Sequence, residues 1–463
     1  MIDDELAFSS IPALGGRLRS GAVTATELAK YFVDRLEKYG SKYHCVVTIT
    51  RDLALAQARE ADAELRAGRD RGPLHGIPCG VKDLFSTKGI PTTWGCAIFK
   101  DRIIDKDATV VKKLREAGAV LTGKLAMVEL AGGMGYRQAN AALTGPGRNP
   151  WNPAKWSGGS SSGSGSAVAA GLVPFAIGTE TWGSITTPGS YCGIVGLRPT
   201  YGRVSRAGGM ALTWSHDKIG PMCRSAHDCG LVLNAVAGPD PDDLAATERP
   251  YRYPPADSPG RPFKLGVLKG AVEGAQGEVK ANFERAIAAL KKLGSVEEVE
   301  APKLPFNEVA GTILSAEIAA AFEEMQESGD ILTLTAPEDR IGGFADQTVL
   351  AVEYLRAQRI RARLCREFDA FLAPFDAVLT VPTAGLAPTA DGPFEDDFHV
   401  KGLGGAGNVC GTPAIVLPTG LAKDGLPTSI QLDGRAYSEN RLLAVALAFQ
   451  EATEWHRARP KLS

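Results

Sequence analysis

Two short stretches of this chain decide its fold and its chemistry: residues 157–166 read SGGSSSGSGS, and residues 178–185 read GTETWGSI. By composition alone, a Gly/Ser tract is typical of a flexible linker. A linker runs through solvent, whereas this tract lies between Trp151 and Trp156 on one side and the apolar run 167–177 on the other. We therefore predict that the tract is buried, that its glycines permit tight turns, and that its hydroxyls serve chemistry.

Helix and strand patterns alternate along the chain on both sides of these stretches. Thr24 and Glu27 form a capping-box pattern before an amphipathic helix, and residues 44–50 (HCVVTIT) have the composition of a strand. The same order returns late in the chain, with a strand at 263–268 and a helix at 278–293. Further helices are predicted at 53–67 and 107–117, and further strands at 119–122 and 296–299. This alternation predicts an α/β fold with a large mixed, twisted sheet covered by helices on both faces.

Composition limits the classes of partner and compartment. The formal net charge is −2, which gives no reason to expect nucleic acid or an anionic membrane as a partner. The eight cysteines include no CxxC pair, so free thiols in a reducing cytoplasm are expected. The first ten residues, MIDDELAFSS, lack the pattern of a signal peptide, and the apolar run 167–177 is too short to cross a bilayer.

Several chemistries could use a serine or a lysine in such segments. Residues 159–163 fit the G-x-S-x-G elbow of α/β-hydrolases, but the preceding residues 153–156 are a poor strand and no histidine lies in a prepared loop. Residues 215–218 fit the S-x-x-K pattern of penicillin-binding enzymes without its companion motifs. Residues 118–124 (GAVLTGK) nearly form a phosphate loop, but Leu125 replaces the Ser or Thr that would hold Mg²⁺. A metal hydrolase pattern, H-E-x-x-H, is absent from the sequence.

The arrangement that does fit resembles the amidase signature family. Three separated blocks agree with that family in order and spacing, and the resemblance covers nearly the whole chain, roughly residues 5–455. The matching segments are 76–83 (GIPCGVKD), 158–161 (GGSS), 167–171 (AVAAG), 178–185, 192–203 (CGIVGLRPTYGR), 411–418 (GTPAIVLP) and 425–427 with Gln431.

This resemblance implies a single amidase-signature domain and a set of catalytic residues. It assigns the base to Lys82, a relay serine with a cis peptide bond to Ser160, and the nucleophile to Ser184, 24 residues beyond the relay. It assigns the oxyanion hole to the backbone N–H groups of Thr181, Trp182, Gly183 and Ser184, and a substrate-lining loop to Gly133 and Met134. A core role for Met134 fits its pattern equally well.

The predicted domain, 1–463, divides into segments. Residues 238–262 are rich in proline and acidic residues and read as a surface crossover, and a second Pro/Gly-rich loop at 384–404 is expected over a pocket. The segments are an N-terminal helical segment (1–60), a catalytic core (65–237), the crossover (238–262), and the rest of the sheet with the substrate-pocket segment (263–463).

A lysine acts as a base only when it is neutral. Bringing its pKa from ~10.4 to near 7 takes roughly 4–5 kcal/mol of differential solvation, which burial can supply. Lys82 lies in the apolar run 74–85 (LHGIPCGVKDLF), so a buried base is credible. The alternative interpretation is a salt bridge between Lys82 and Asp83.

The nucleophile segment departs from the family pattern. Many members have Asp-Thr-Gly-Gly-Ser-Ile-Arg, whereas this chain has Glu180, Trp182 and Thr186 at the first, third and last positions. These residues resemble the bacterial peptide-amidase-like form, which weakens the case for the A-type subunit of a tRNA-dependent amidotransferase.

We therefore predict an amidohydrolase that cleaves a linear amide through a Ser184 acyl-enzyme, with an aryl amide, carbamate or ester as a further substrate class. A glutamine-hydrolysing A-type amidotransferase subunit is the first alternative, and a non-catalytic binding member is the second. We expect no cofactor and no metal, a small-molecule amide or carbamate and water as partners, no nucleic acid, no membrane, a monomer or homodimer, and a cytoplasmic location.

Overall fold

A computed structural model describes residues 4–256, 260, 262–394 and 402–462. Its strands are β1 (Val46–Ile49), β2 (Pro78–Lys82), β3 (Val120–Leu125), β4 (Arg148–Asn149), β5 (Asn152–Trp156), β6 (Phe175–Glu180), β7 (Val195–Arg198), β8 (Lys218–Cys223), β9 (Phe263–Leu268), β10 (Gly294–Val299), β11 (Ala377–Thr380), β12 (Ala414–Leu421) and β13 (Pro427–Asp433).

The α-helices are α1 (Ile11–Arg19), α2 (Ala25–Tyr39), α3 (Arg51–Arg66), α4 (Thr109–Glu116), α5 (Ser162–Ala169), α6 (Thr186–Cys192), α7 (Ala226–Val236), α8 (Gly277–Leu290), α9 (Phe306–Ala321), α10 (Glu323–Glu327), α11 (Asp339–Asp346), α12 (Ala351–Leu372), α13 (Gly404–Val409) and α14 (Glu439–Thr453). Short 3-10 helices lie at Asp4–Phe8, Ala97–Phe99, Glu129–Gly132, Asp330–Thr333 and Trp455–Arg457.

One sheet of 11 strands, counted over the described residues, organises the molecule. Its order is β1-β3-β2-β6-β8-β7-β12-β13-β11-β9-β10, while β4 and β5 form a separate ribbon. Strand β2 runs parallel to both of its neighbours, β3 and β6, and β6 runs antiparallel to β8. The predicted single α/β domain with a large mixed sheet covered by helices is confirmed.

Local sequence signals set several element boundaries. The Thr24 hydroxyl accepts a hydrogen bond from the Glu27 N–H, and the Glu27 carboxylate accepts one from the Thr24 N–H, so the predicted capping box is present. The predicted strand at 263–268 coincides with β9. The helix predicted at 278–293 ends three residues earlier, because the chain turns at 291–293 to begin β10.

The Gly/Ser tract 157–166 is buried along its whole length, as predicted. Helix α5 begins inside it and packs its small residues against the sheet. A Cβ at Gly163 would collide with the backbone of Cys45 and Ala126, so only glycine allows this close approach. The tract is therefore part of the core and not a linker.

The predicted crossover 238–262 connects α7 to β9, and its residues 257–259 and 261 lie outside the described part of the chain. The division into four segments remains a prediction. None of the described helices has the length and apolar character needed to cross a membrane. All eight cysteines are free thiols.

Candidate active site

Two parallel neighbouring strands bring the predicted catalytic segments together. Lys82 is the last residue of β2, and Glu180 is the last residue of β6, the adjacent strand. The carboxyl ends of parallel strands meet at one edge of a sheet, where α/β proteins commonly bind ligands. The turn 181–184, which carries Ser184, follows β6 directly and therefore lies at the same edge.

The Lys82 side chain is fully buried and contacts two hydroxyls. Its Nζ lies 2.7 Å from Ser160 Oγ and 2.8 Å from Thr179 Oγ1. Burial lowers the pKa of Lys82 from its ordinary value of 10.5 to about 7, although the carboxylates of Asp217 and Glu180 act in the opposite direction. A substantial fraction of this lysine is therefore neutral near pH 7, as a general base requires.

Asp83 is not the partner of Lys82. Its carboxylate lies 2.9 Å from Lys124 Nζ, and both of these side chains are fully buried. Asp83 also accepts hydrogen bonds from the hydroxyl and the N–H of Thr93. The salt-bridge interpretation of Lys82 is therefore wrong, and Lys124, which ends the phosphate-loop-like segment, is a buried structural lysine in β3.

The predicted base, Lys82, is hydrogen-bonded to the predicted relay, Ser160, but the described residues show no such bond between Ser160 and the hydroxyl of the predicted nucleophile, Ser184. The peptide bond between Gly159 and Ser160 is cis. Ser184 is buried, and its carbonyl accepts a hydrogen bond from the Ser161 N–H at 3.3 Å. Among the described residues the Ser184 hydroxyl forms no hydrogen bond to Ser160 Oγ; such contacts commonly tighten only when substrate binds.

The turn 181–184 has the donors that an oxyanion hole needs. Over the described chain, its four backbone N–H groups have no hydrogen-bond acceptor. Gly183 has a φ of +82°, a left-handed conformation that favours glycine, and its carbonyl accepts the Thr187 N–H at 2.7 Å. The turn also lines a large cavity, so these N–H groups are available to a developing negative charge.

A buried network of hydrogen bonds and ion pairs around Glu180 holds the backbone on both sides of this turn. One Glu180 oxygen accepts the N–H groups of Ile185 and Thr186 at 2.9 Å, and the other lies 2.8 Å from Arg198 Nη1. Burial opposes ionisation of Glu180, but the charges of Arg198 and Lys218 outweigh it and bring its pKa down to about 2. Glu180 is therefore an anion near neutral pH, and its carboxylate holds the start of α6.

The cavity in front of Ser184 measures about 1180 Å³ and includes both predicted lining residues, Gly133 and Met134, in its wall. The Met134 side chain is nearly fully buried, so it also packs in the core. Trp182 is 37% exposed. A Cβ at Gly405 would lie 2.9 Å from its indole, which shows that the ring rests against the start of α13 as a wall of the cavity.

The charged groups of the cavity wall are acidic. Asp346 and Glu273 line it, and burial raises the pKa of Asp346. The described lining residues include no lysine or arginine. Residues 395–401 of the predicted pocket loop 384–404 lie outside the described chain, whereas residues 402–405 line the cavity.

The competing serine motifs do not form catalytic pairs. Residues 153–156, expected to be a poor strand, lie within β5, which pairs with β4 in a ribbon outside the main sheet and forms a further bridge between Lys155 and Thr389. The elbow serine, Ser161, is bonded through its hydroxyl to the backbone of Thr179. The Ser215 hydroxyl contacts His216 and not Lys218. The described residues contain no group of three His, Cys, Asp or Glu side chains placed to bind a metal ion.

Sequence reasoning missed several polar residues around the site. Thr179 accepts a hydrogen bond from Lys82, and Asp217 accepts one from the Thr181 hydroxyl at 2.5 Å. Lys218 and Asn408 contact each other beneath the turn. The sequence does contain a signal for such residues, namely a charged residue at the end of an apolar strand, such as Lys218 in KIGPMC. A charged residue in that position is expected to be buried with a partner.

Relatives of known name match the chain over its full length. The A-type subunit of glutamyl-tRNA(Gln) amidotransferase from Carboxydothermus hydrogenoformans is 37% identical over 99% of this chain and 100% of its own. The solved structure of the same-named subunit from Thermotoga maritima has a TM-score of 0.82 and 26% identity, covering 100% of both chains. Peptide amidase from Stenotrophomonas maltophilia has a TM-score of 0.84 and 32% identity, covering 98% of this chain and 99% of its own.

These relatives correct our main functional prediction. The expectation of a hydrolase for linear amides, aryl amides, carbamates or esters is wrong, because the curated relatives at 34–37% identity are named as amidotransferase subunits. The prediction treats Glu180 and Thr186 as markers of substrate. In the structure the Glu180 carboxylate accepts hydrogen bonds from the backbone N–H and the hydroxyl of Thr186, so Glu180 holds the backbone after the turn and does not line the cavity.

The predicted partners are also wrong. The sequence predicts a small-molecule amide or carbamate substrate, no nucleic acid, and a monomer or homodimer. These predictions conflict with relatives named as one subunit of an enzyme for glutamyl-tRNA(Gln). The prediction depends on the net charge of −2. Net charge averages over the whole surface, and it does not describe a surface that several subunits build together.

A family model described as Amidase matches residues 27–443. This range includes Lys82, Ser160 and Ser184 and every element from β1 to β13. The family and the solved structures support an amidase-type hydrolase. The chain therefore belongs to the amidase signature family.

Proposed function

We propose that this chain is the glutamine-hydrolysing A-type subunit of a tRNA-dependent amidotransferase. The observation that carries this proposal is the end-to-end similarity to the A-type subunit of glutamyl-tRNA(Gln) amidotransferase, at 37% identity over 99% of the chain. The contact between Lys82 and Ser160 supports the chemistry, because it supplies a base that burial keeps partly neutral. It also argues against a non-catalytic binding member.

In the proposed reaction, the glutamine side-chain amide lies in the cavity with its carbonyl carbon beside Ser184. Neutral Lys82 takes a proton from Ser160, which takes the proton of the Ser184 hydroxyl as its oxygen attacks the carbon. A C–O bond forms, and the carbonyl oxygen becomes an oxyanion that the N–H groups of the turn 181–184 bind.

Collapse of this intermediate breaks the C–N bond. The proton returns through Ser160 to the leaving nitrogen, so ammonia departs and a glutamyl ester remains on Ser184. Water then attacks the ester by the same route, and glutamate leaves. Each proton taken by Lys82 is given back, and the enzyme returns to its starting state.

The acidic side chains of the cavity wall are compatible with glutamine, which carries an α-ammonium group, as the substrate. Asp346 and Glu273 lie in the cavity wall, where a carboxylate can attract the α-ammonium of glutamine. We expect Asp346→Asn to raise KM for glutamine severalfold with little change in kcat, since the α-ammonium is remote from the reacting carbon. A cytoplasmic setting is part of the proposal and agrees with the eight free thiols.

The test is ammonia release from glutamine by the purified chain, alone and with the other subunits encoded in the same genome. We expect slow release by the chain alone, faster release in the complex, and glutamine-dependent conversion of glutamyl-tRNA to glutaminyl-tRNA. Ser184→Ala is expected to abolish all three and to leave conversion with added ammonium intact. Failure to cleave glutamine under every condition, with efficient cleavage of a C-terminal peptide amide, would contradict the proposal.

A further inference from the structure

Another buried lysine, Lys218, contacts the backbone of the nucleophile turn 181–184. Lys218 begins β8 and pairs in register with Glu180, the last residue before the turn. It is 2% exposed. Its Nζ lies 3.2 Å from the Thr181 carbonyl oxygen and 2.6 Å from Asn408 Oδ1. Burying an amino group is costly unless it is hydrogen-bonded, and both of its acceptors lie at the base of the active site.

Lys218 donates a hydrogen bond to the Thr181 carbonyl, and this carbonyl shares a peptide unit with the Trp182 N–H. This peptide is trans, so its C=O and N–H point in opposite directions within one plane. Lys218 holds the Thr181 carbonyl on the side of the turn that faces the core. The Trp182 N–H therefore points to the opposite side, toward the cavity that the turn lines. A hydrogen bond to the carbonyl also polarises the peptide and strengthens its N–H as a donor.

We propose that Lys218 is a positioning residue that orients and polarises the Trp182 N–H for the oxyanion. The inference rests on Ser184 as the nucleophile, but not on glutamine as the substrate. It also gives the turn a lysine donor from β8, in a chain that has Thr186 where many family members have an arginine.

The surroundings of Lys218 hold it in place. Asn408 Nδ2 donates to Glu180 at 3.2 Å, which ties α13 to the same network. Four ionisable groups act on Lys218: Glu180, Asp217, Arg198 and Arg361. Burial lowers the pKa of Lys218, but the amine and the ammonium both carry enough hydrogens for the two hydrogen bonds. The role therefore does not require one protonation state.

The test uses a fluorophosphonate probe, which needs no knowledge of the acyl group. Ser184 Oγ attacks phosphorus, the P–F bond breaks, fluoride leaves, and the proton passes toward Lys82, while the phosphoryl oxygen occupies the oxyanion hole. Labelling of the full chain is followed by intact mass over time and over pH. We expect Lys218→Met to slow labelling by roughly 10- to 100-fold, somewhat less than the loss of a direct oxyanion donor. The pH midpoint of labelling, which reports Lys82, is expected to stay unchanged.

Lys113→Met is the matched control, because Lys113 Nζ also donates to backbone carbonyls, at Ala237 and Gly238, but far from the site. It is expected to label at the wild-type rate. If Lys218→Met does not fold, Lys218→Gln, which keeps an N–H donor on a shorter side chain, is expected to label more slowly than wild type. Wild-type labelling by either Lys218 variant would overturn the proposal, as would a slower rate explained by a shifted pH midpoint. If the protein does not hydrolyse glutamine but the Lys218 variants label more slowly as expected, the proposed function is rejected and the role of Lys218 is retained.

Discussion

Strands β2 and β3 lie side by side in the sheet, and each carries a buried lysine near its carboxyl end. Lys124 in β3 lies 2.9 Å from the carboxylate of Asp83, whereas Lys82 in β2 donates, within the described part of the chain, only to the hydroxyls of Ser160 and Thr179. Burial lowers the pKa of both lysines. The difference shows that the partner, and not the burial, separates a structural ion pair from a base: a carboxylate retains the proton, and hydroxyls relay it.

The largest expected effect comes from removing the base. Lys82→Met is expected to lower kcat for ammonia release by roughly 10³-fold, within the range for loss of a general base. Stability should not fall, because an apolar side chain of similar length replaces a desolvated amine. Ammonia release and thermal unfolding measure the two quantities. Retained activity would show that another group takes the proton.

The opposite result is expected at the neighbouring strand. Lys124→Met leaves the Asp83 carboxylate buried without its countercharge, which costs about 3–5 kcal/mol of unfolding free energy. The kcat of the remaining folded enzyme is expected to stay near wild type. Urea denaturation and active-site titration with the fluorophosphonate separate the two effects. A loss of kcat without a loss of stability would break the distinction between the two lysines.

The pH dependence of Ser184 labelling and of the unfolding free energy provides a further test of Lys82 as the base. The rate of Ser184 labelling is expected to rise with pH and to reach half its maximum near pH 7, where Lys82 loses its proton. Because the folded pKa of Lys82, about 7, lies below its ordinary 10.5, the unfolded chain binds more protons in that interval. Unfolding free energy should therefore rise with pH from about 7 to 10.5, and less steeply in Lys82→Met. A flat rate between pH 6 and 9 would contradict a lysine base.

The smallest expected effect comes from the second hydroxyl. Thr179→Val removes one of the two acceptors of the Lys82 Nζ, so the protonated form loses a hydrogen bond and its pKa should fall further. We expect the pH midpoint of labelling to move downward and kcat to drop by roughly tenfold, in proportion to one lost hydrogen bond. An upward shift would show that Thr179 stabilises the neutral amine.

Much of the fold could be predicted because its signals are local. The capping box at Thr24, the strand at 263–268 and the alternation of periods depend on residues close together in sequence. Lys82, Ser160 and Ser184 could be predicted as catalytic residues because the order and spacing of motifs are visible in the sequence, and their catalytic roles stay predictions. The cis peptide bond at Ser160, expected only from the family resemblance, is present.

The substrate could not be predicted from the residues around the nucleophile. Glu180 and Thr186 differ from the common family pattern, but this difference does not indicate a substrate class. In the structure, Glu180 bonds to Arg198 and to the backbone of Ile185. A residue that touches only the scaffold carries no information on the bound amide, and full-length similarity was the better guide.

By itself, the sequence determined the α/β alternation, the buried Gly/Ser tract and a lysine in an apolar run, since each follows from short-range pattern and composition. Only the tertiary structure decided that Lys82 meets Ser160, 78 residues away, and that Asp83 turns to Lys124. It also decided that Lys218 reaches the nucleophile turn. The physical reason is that the proton affinity of a buried group depends on what lies within a few ångströms, and the sheet brings those neighbours from distant parts of the chain.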